Sequence, residues 1–218
     1  MLTTFLMTAL LAQPCANDVC PQRNYETPHP AVVRILNEQG RERTFGSGTL
    51  VAKNDEQGLV VSCAHLFREY TGRITVMFPN NESFTARLLD VDAASDLSAL
   101  LISKPGAPAV KVARDLPRIG DSLISCGYGP HGQFATNHGR ALGNLSLQGH
   151  KQDVLELTGS ARQGDSGGPI WNNQGELAAV LFGTDGHRVD GTHCGIVREF
   201  LAKLSGVGVQ GSTRTRAA

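Results

Sequence analysis

Charge is scarce in this 218-residue chain and balanced where it occurs, with twenty Lys and Arg set against twenty Asp and Glu, 18% of the residues in all. With no net charge and no dense basic run, nothing electrostatic favours a polyanion, so nucleic acid is not an expected partner. Long apolar runs are missing too. The stretch Met1 to Ala12 falls short of the roughly twenty residues needed to cross a bilayer core of about 30 Å, so no stable membrane span is expected. Five cysteines (Cys15, Cys20, Cys63, Cys126, Cys194) contain no Cys-x-x-Cys spacing, which argues against a structural zinc site, and no metal or cofactor is expected. Their pairing, Cys126 with Cys194 included, is open from sequence alone. Long helical periodicity is absent, and aromatic rings are few.

Glycine, by contrast, is plentiful: twenty-five residues, with ten prolines, punctuate short β-prone runs. Six such runs recur about ten residues apart: Ala31–Leu36, Ser47–Ala52, Leu59–Cys63, Arg73–Phe78, Glu82–Asp92 and Leu97–Ile102. A connector from Lys104 to Asp121 carries Pro105, Pro108 and Pro117. Six more runs follow: Ser122–Gly127, Arg140–Leu147, Asp153–Thr158, Pro169–Trp171, Glu176–Phe182 and Cys194–Val197. Phe200, Leu201 and Leu204 then take helical spacing. The expected fold is all-β: two six-stranded antiparallel β-barrels, which remove sheet edges by closure, and a short C-terminal helix. The expected domains are a signal peptide at 1–16, an N-terminal barrel at 28–112, a C-terminal barrel at 113–205 and a loose tail at 206–218. The apolar start broken at Gln13-Pro14 reads as a secretory signal, hence a secreted or periplasmic location.

Three segments carry chemistry. In Gly164-Asp165-Ser166-Gly167-Gly168-Pro169 the flanking glycines free the backbone to aim N–H groups at one point, with Gly164 and Ser166 as expected oxyanion donors and Ser166 as nucleophile. A hydroxyl needs a base. Of seven histidines, only His65 follows an apolar strand, Leu59 to Ala64; the other six, His193 among them, read as exposed loop residues. Asp96, just ahead of the apolar run Leu97–Ile102, is the carboxylate expected to orient that imidazole. Asp90 and Asp92 alternate with Val91 and read as outward-facing.

Ser62-Cys63-Ala64-His65, Asp96-Leu97-Ser98-Ala99-Leu100 and Gly164 to Pro169, in that order, closely resemble the three signature blocks of trypsin-like serine proteases. Phe45 to Val51 resembles the glycine-bearing strand that precedes the family's histidine, so the likeness extends over about residues 31 to 205. It implies a serine endopeptidase acting on protein or peptide substrates, with His65 as general base, Asp96 as orienter and Ser166 as nucleophile. A substrate pocket is implied near Ser160, Ala161 and Gln163 and near Leu181, Phe182 and Gly183, with no acidic floor for Arg or Lys. The family's digestive members pair the aspartate before the nucleophile with a new N-terminal amine; no such start is present, which leaves Asp165 without that partner. Gly46 stands where the usual cysteine would bridge to the histidine loop. The short His65-to-Asp96 spacing looks more like the bacterial branch, including the Deg/Htr proteases, here as a single protease domain with no PDZ-like segment after residue 205.

Two rival readings remain. Gly164-x-Ser166-x-Gly168 also matches the nucleophile elbow of α/β-hydrolases, but Pro169 and the turn Asn172 to Gly175 stand where that fold needs a helix. A catalytically silent binding module on the same fold is the alternative that the unpartnered Asp165 keeps open.

Overall fold

The computed structural model describes residues 26–146 and 153–206. The expected signal at 1–16 lies outside them, as do Cys15, Cys20, His150 and the tail beyond Gly206.

Short strands joined by glycine turns build two closed antiparallel barrels. The first comprises β1 (Val32–Gln39), β2 (Glu42–Lys53), β3 (Gln57–Ser62), β4 (Arg73–Met77), β5 (Ser83–Asp92) and β6 (Leu97–Ser103), hydrogen-bonded in the order β1-β2-β3-β6-β5-β4. The second comprises β7 (Ser122–Tyr128), β8 (Phe134–Ser146), β9 (Asp153–Thr158), β10 (Pro169–Trp171), β11 (Leu177–Thr184) and β12 (Arg188–His193), in the order β10-β11-β12-β9-β8-β7. Gly40 (φ 61°) and Gly175 (φ 71°) turn two of the hairpins in the left-handed region, where a β-carbon is strained. Bulges at Leu50/Ala52, Leu88/Asp90 and Ala141/Gly143 bend the long strands so that each sheet closes on itself.

The first barrel is filled by Ile35, Leu50, Val60, Leu97, Leu100 and their neighbours, and the same apolar cluster runs on into Tyr128, Trp171 and Val180 of the second. The interior is therefore continuous across the two halves. A smaller cluster around Leu155, Leu157 and Ile170 fills the far side of the second barrel. The proline-bearing connector does not hang free: Leu177 donates to the Lys111 carbonyl and accepts from Ala113, which straps the connector along β11.

The end of the chain departs from the sequence reading. Cys194 to Val197 is not a strand but the first turn of α1 (Cys194–Gly206), and the twelfth strand is the polar segment Arg188–His193. Val197 and Phe200, three residues apart, are both buried in the shared core, so the helical stripe begins earlier than residue 198. The strand escaped notice because its alternation relies on Val189, Gly191 and His193 rather than on large apolar side chains. His193 is accordingly buried, not an exposed loop histidine, and its Nδ1 accepts the Gly195 N–H at the start of α1. Cys126 and Cys194 are unpaired, buried thiols: the first accepts from Trp171 Nε1 and is pushed up to about 12 by burial, and the second donates to the Asp115 carbonyl.

Candidate active site

The end of β3 delivers the imidazole. After Ser62 the chain turns through a single 3-10 turn, Ala64–Phe67, that sets His65 at the barrel rim with its side chain one-third exposed. Buried Asn37 fastens the segment that follows, donating to the carbonyls of Leu66 and Tyr70 and accepting the Gly72 N–H, so that neither end of an amide that burial would otherwise make costly lacks a partner.

Asp96 closes the turn between β5 and β6 in the left-handed region, at φ 50°. An aspartate tolerates this conformation better than most residues, and here three hydrogen bonds hold it. Its carbonyl accepts from Ala64 N (3.1 Å), Oδ1 accepts from His65 N (2.8 Å), and Oδ2 lies 2.6 Å from His65 Nδ1. The carboxylate thus grips both the main chain and the ring of the same residue, which fixes the ring's plane and favours a proton on Nδ1. Asp90 and Asp92 take no part in this arrangement. Asp90 is exposed, and Asp92 accepts from Ala94 and Ser95 within its own turn.

The loop before β10 comes from the other barrel and meets this corner through backbone. Ser166 O accepts from Ser47 N (2.8 Å), and a β-carbon on Gly167 would stand 2.2 Å from Ser62 Oγ and 3.1 Å from Cys63 N. Only glycine, at φ 83°, allows the loop to approach the end of β3 so closely. Within the loop, the N–H groups of Asp165, Gly167 and Gly168 donate to Arg162, Leu181 and Asp165 carbonyls. Among the described residues those of Gly164 and Ser166 donate to no protein acceptor. Ser166 is partly exposed, and its Oγ makes no hydrogen bond within the described residues. His65 Nε2 faces Cys63 Sγ at 3.5 Å. Cys63 is fully buried, and its thiol is pushed well up, first by burial and then by the Asp96 charge, so it is protonated at neutral pH.

The sequence reading left Asp165 without a partner, and the structure corrects this. Arg162, three residues earlier, clasps the buried carboxylate with Nη2 to Oδ1 (2.9 Å) and Nε to Oδ2 (3.2 Å), and Arg162 N adds a third bond to Oδ2 (2.8 Å). The same guanidinium donates to the carbonyls of Gly127 and Gln133, which ties the loop to β7 and the turn beyond it. Arg162 and Ser47 are the residues that sequence reasoning passed over. Arg-x-x-Asp spacing ahead of the serine was a readable signal for the first. Nothing local marked the second, whose Oγ donates to the Gly164 carbonyl and accepts from Tyr128 N.

The residues expected to contact substrate divide. Ser160 and Gln163 are exposed, and Ala161, Phe182 and Gly183 are partly so. The Leu181 side chain turns into the core of the second barrel, and it is its main chain that meets the loop, exchanging hydrogen bonds with Gly167 and Gly168. A β-carbon on Gly183 would meet nothing within 4 Å, so the surface there is open. A cleft of ≈ 270 Å³ opens beside His65, lined also by Thr44, Leu66, Arg68, Glu69 and Tyr70.

The model of the trypsin-like peptidase domain family matches residues 46–180, which span the Asp96–His65 pair and the Ser166 loop. The chain belongs to this family. It is 31% identical over 165 residues to the serine endoprotease DegS of Escherichia coli K12, an alignment covering 69% of this chain and 45% of the relative. The Chlamydia muridarum protein named "Probable periplasmic serine endoprotease DegP-like" is 28% identical over 161 residues, covering 68% of this chain and 31% of the relative. The trypsin-like chain thus spans less than half the length of these curated relatives. Among solved structures, the active form of the Rv3671c protease from M. tuberculosis superposes with a TM-score of 0.73 at 22% identity, covering 86% of this chain and 84% of that one. The serine endoprotease from Yersinia pestis does so at 0.71 and 24%, covering 82% and 64%. Both likenesses are of fold.

Proposed function

We propose that this chain is a serine endopeptidase, secreted or periplasmic, with residues 28–112 and 113–205 as its barrel halves and protein or peptide as substrate. The observation that carries the reading is the Asp96–His65 pair, doubly hydrogen-bonded, at the corner where the Ser166 loop packs with two N–H groups unspent. In this reading Ser166 Oγ attacks the scissile carbonyl carbon while His65 Nε2 takes the hydroxyl proton. The Gly164 and Ser166 N–H groups hold the oxyanion, and Asp96 keeps the ring in the Nδ1–H tautomer and balances its positive charge. The proton then passes from Nε2 to the departing amine as the C–N bond breaks, leaving an acyl-enzyme that water hydrolyses by the same steps in reverse. The bond from Ser166 Oγ to Nε2 belongs to the substrate complex, since such contacts commonly tighten only around bound substrate. Substrate lies along the open edge of β11 at Phe182 and Gly183 by strand addition, with Ser160, Ala161 and Gln163 bordering the neighbouring pocket. The periplasmic name of one relative and the expected N-terminal signal support the location.

The silent-module reading drew on Asp165 having no partner and on pocket residues whose preference the sequence does not define. Arg162 supplies the partner, so the loop that carries the oxyanion donors is held without a new N-terminal amine.

A fluorophosphonate, which phosphonylates an activated serine, tests the reading on the full chain. Labelling is expected in wild type and lost in Ser166→Ala and His65→Ala. Arg162→Met, which leaves Asp165 buried and unpaired, is expected to label up to about a hundredfold more slowly, approaching the loss of one oxyanion donor. Equal labelling of wild type and Ser166→Ala, or none in wild type, overturns the assignment.

A further inference from the structure

The mechanism has no use for Cys63, yet its thiol stands 3.5 Å from the working nitrogen of His65. We propose that Cys63 Sγ and His65 Nε2 form a chelating site for a thiophilic divalent cation, of the zinc or cadmium kind, and that such a cation switches the hydrolytic site off.

Three observations carry this. The first is span. A zinc ion bonds sulfur at about 2.3 Å and imidazole nitrogen at about 2.0–2.1 Å, so two such ligands at a tetrahedral angle stand about 3.5 Å apart. Sγ and Nε2 are separated by 3.5 Å, so an ion could bridge them with little movement of either side chain. The second is orientation. A histidine that binds a metal typically donates its other ring N–H to a carboxylate, which fixes the tautomer and raises the ligand's basicity. Asp96 Oδ2, 2.6 Å from Nδ1, does this for His65. The arrangement that readies Nε2 for a proton readies it equally for a cation. The third is charge. Cys63 Sγ, a His65 ring nitrogen and an Asp96 oxygen all lie within 4.8 Å of one another. Burial beside Asp96 disfavours a lone thiolate there, but a dication bound between sulfur and ring compensates both negative charges where they stand.

On binding, the metal–sulfur bond replaces the S–H bond, the thiol proton leaves to solvent, and the Nε2 lone pair passes to the cation. No oxidant or reductant is needed. The ion enters from the exposed side of His65, whose side chain is one-third exposed whereas Cys63 is fully buried. Water completes its coordination from the same side. With Nε2 occupied, the ring cannot take the Ser166 proton. This inhibitory consequence rests on the reading of His65 as the base; the binding site itself does not.

The test titrates the full reduced chain with cadmium and follows the ultraviolet charge-transfer absorption of the cadmium–thiolate bond, with Cys63→Ser as reference because it keeps the other four cysteines. Wild type and Ser166→Ala are expected to show one equivalent of absorption that Cys63→Ser lacks. Both His65→Ala and Asp96→Asn are expected to bind that equivalent about 10- to 100-fold more weakly. Circular dichroism checks that each variant is folded. Titrations that coincide for wild type and Cys63→Ser overturn the site. Undiminished affinity in His65→Ala overturns the chelate. In parallel, cadmium or zinc is expected to slow fluorophosphonate labelling of wild type reversibly, with chelator restoring it, and to act at least about tenfold less on Cys63→Ser, each chain being compared with its own metal-free rate. Cation binding through Cys63 and His65 without slower labelling leaves the site standing and overturns His65 as the base.

Discussion

Asp96 combines two demands that only a few side chains meet together. Its backbone sits at φ 50°, which most residues with a β-carbon resist, and its carboxylate must reach both His65 N and Nδ1. Asparagine shares the tolerance of the left-handed region and the shape of the side chain but offers an amide where Nδ1–H needs an acceptor. Asp96→Asn therefore separates chemistry from folding. Turnover of a peptide substrate is expected to fall about ten-thousandfold, through loss of the productive tautomer, with an unchanged unfolding midpoint. Asp90→Asn, on an exposed carboxylate that accepts from its own neighbour Val91 N, is expected to change neither. A collapse of activity in Asp90→Asn with Asp96→Asn intact would move the orienting role to Asp90.

At the level of elements, β9 and β12 carry a built-in conflict. Asp190 on β12 lies directly opposite Glu156 on β9, and like charges facing each other across a strand pair oppose pairing. Arg188 relieves Glu156 through a 2.9 Å ion pair, while Asp190 stays half-buried and its carboxyl is pushed up, mainly by burial and then by repulsion from Glu156 and Asp185. A carboxyl held above its unfolded value binds its proton more tightly in the fold. Its contribution to stability is therefore fully present below the unfolded value of about 3.9 and is lost as pH rises through the folded one. Asp190→Asn is accordingly expected to raise the thermal midpoint at neutral pH and to give no gain well below pH 4. Thermal melts across that range decide it, and a gain that persists in acid would mean the benefit is not electrostatic.

For the molecule as a whole, the site exists only because two barrels dock, and buried hydroxyls bridge them alongside the shared apolar core. Ser47 of β2 donates through Oγ to the Gly164 carbonyl, accepts the Tyr128 N–H, and donates through its own N–H to the Ser166 carbonyl. Thr192 of β12 reaches across to the Ser95 carbonyl at 2.6 Å, beside the Asp96 turn. Removing the Ser47 hydroxyl leaves a buried carbonyl and a buried N–H each short of a partner. Ser47→Ala is expected to cost about 1–3 kcal/mol. For a domain of this size that lowers the thermal midpoint by about 2–4 °C per kcal/mol. Fluorophosphonate labelling should slow alongside it, because the released carbonyl belongs to the loop that carries Ser166. A lower midpoint with unaltered labelling would limit Ser47 to holding the barrels together.

What the sequence determined alone is whatever local chemistry fixes. Alternating apolar runs cut by glycine and proline specify short strands and two barrels, since burying one face of each strand leaves closure as the way to satisfy the edges. The three blocks around His65, Asp96 and Ser166 could be found because each needs particular residue types next to a strand end. Strand β12 and the first turn of α1 were misread for the same reason: Gly191, Thr192 and His193 are buried by neighbours rather than by their own hydrophobicity. Tertiary structure alone decided what lies across space. It set Ser47 between the barrels and Thr192 against the Ser95 carbonyl, because contacts between groups on separate barrels depend on how the closed sheets dock, and a one-dimensional pattern carries no record of that docking.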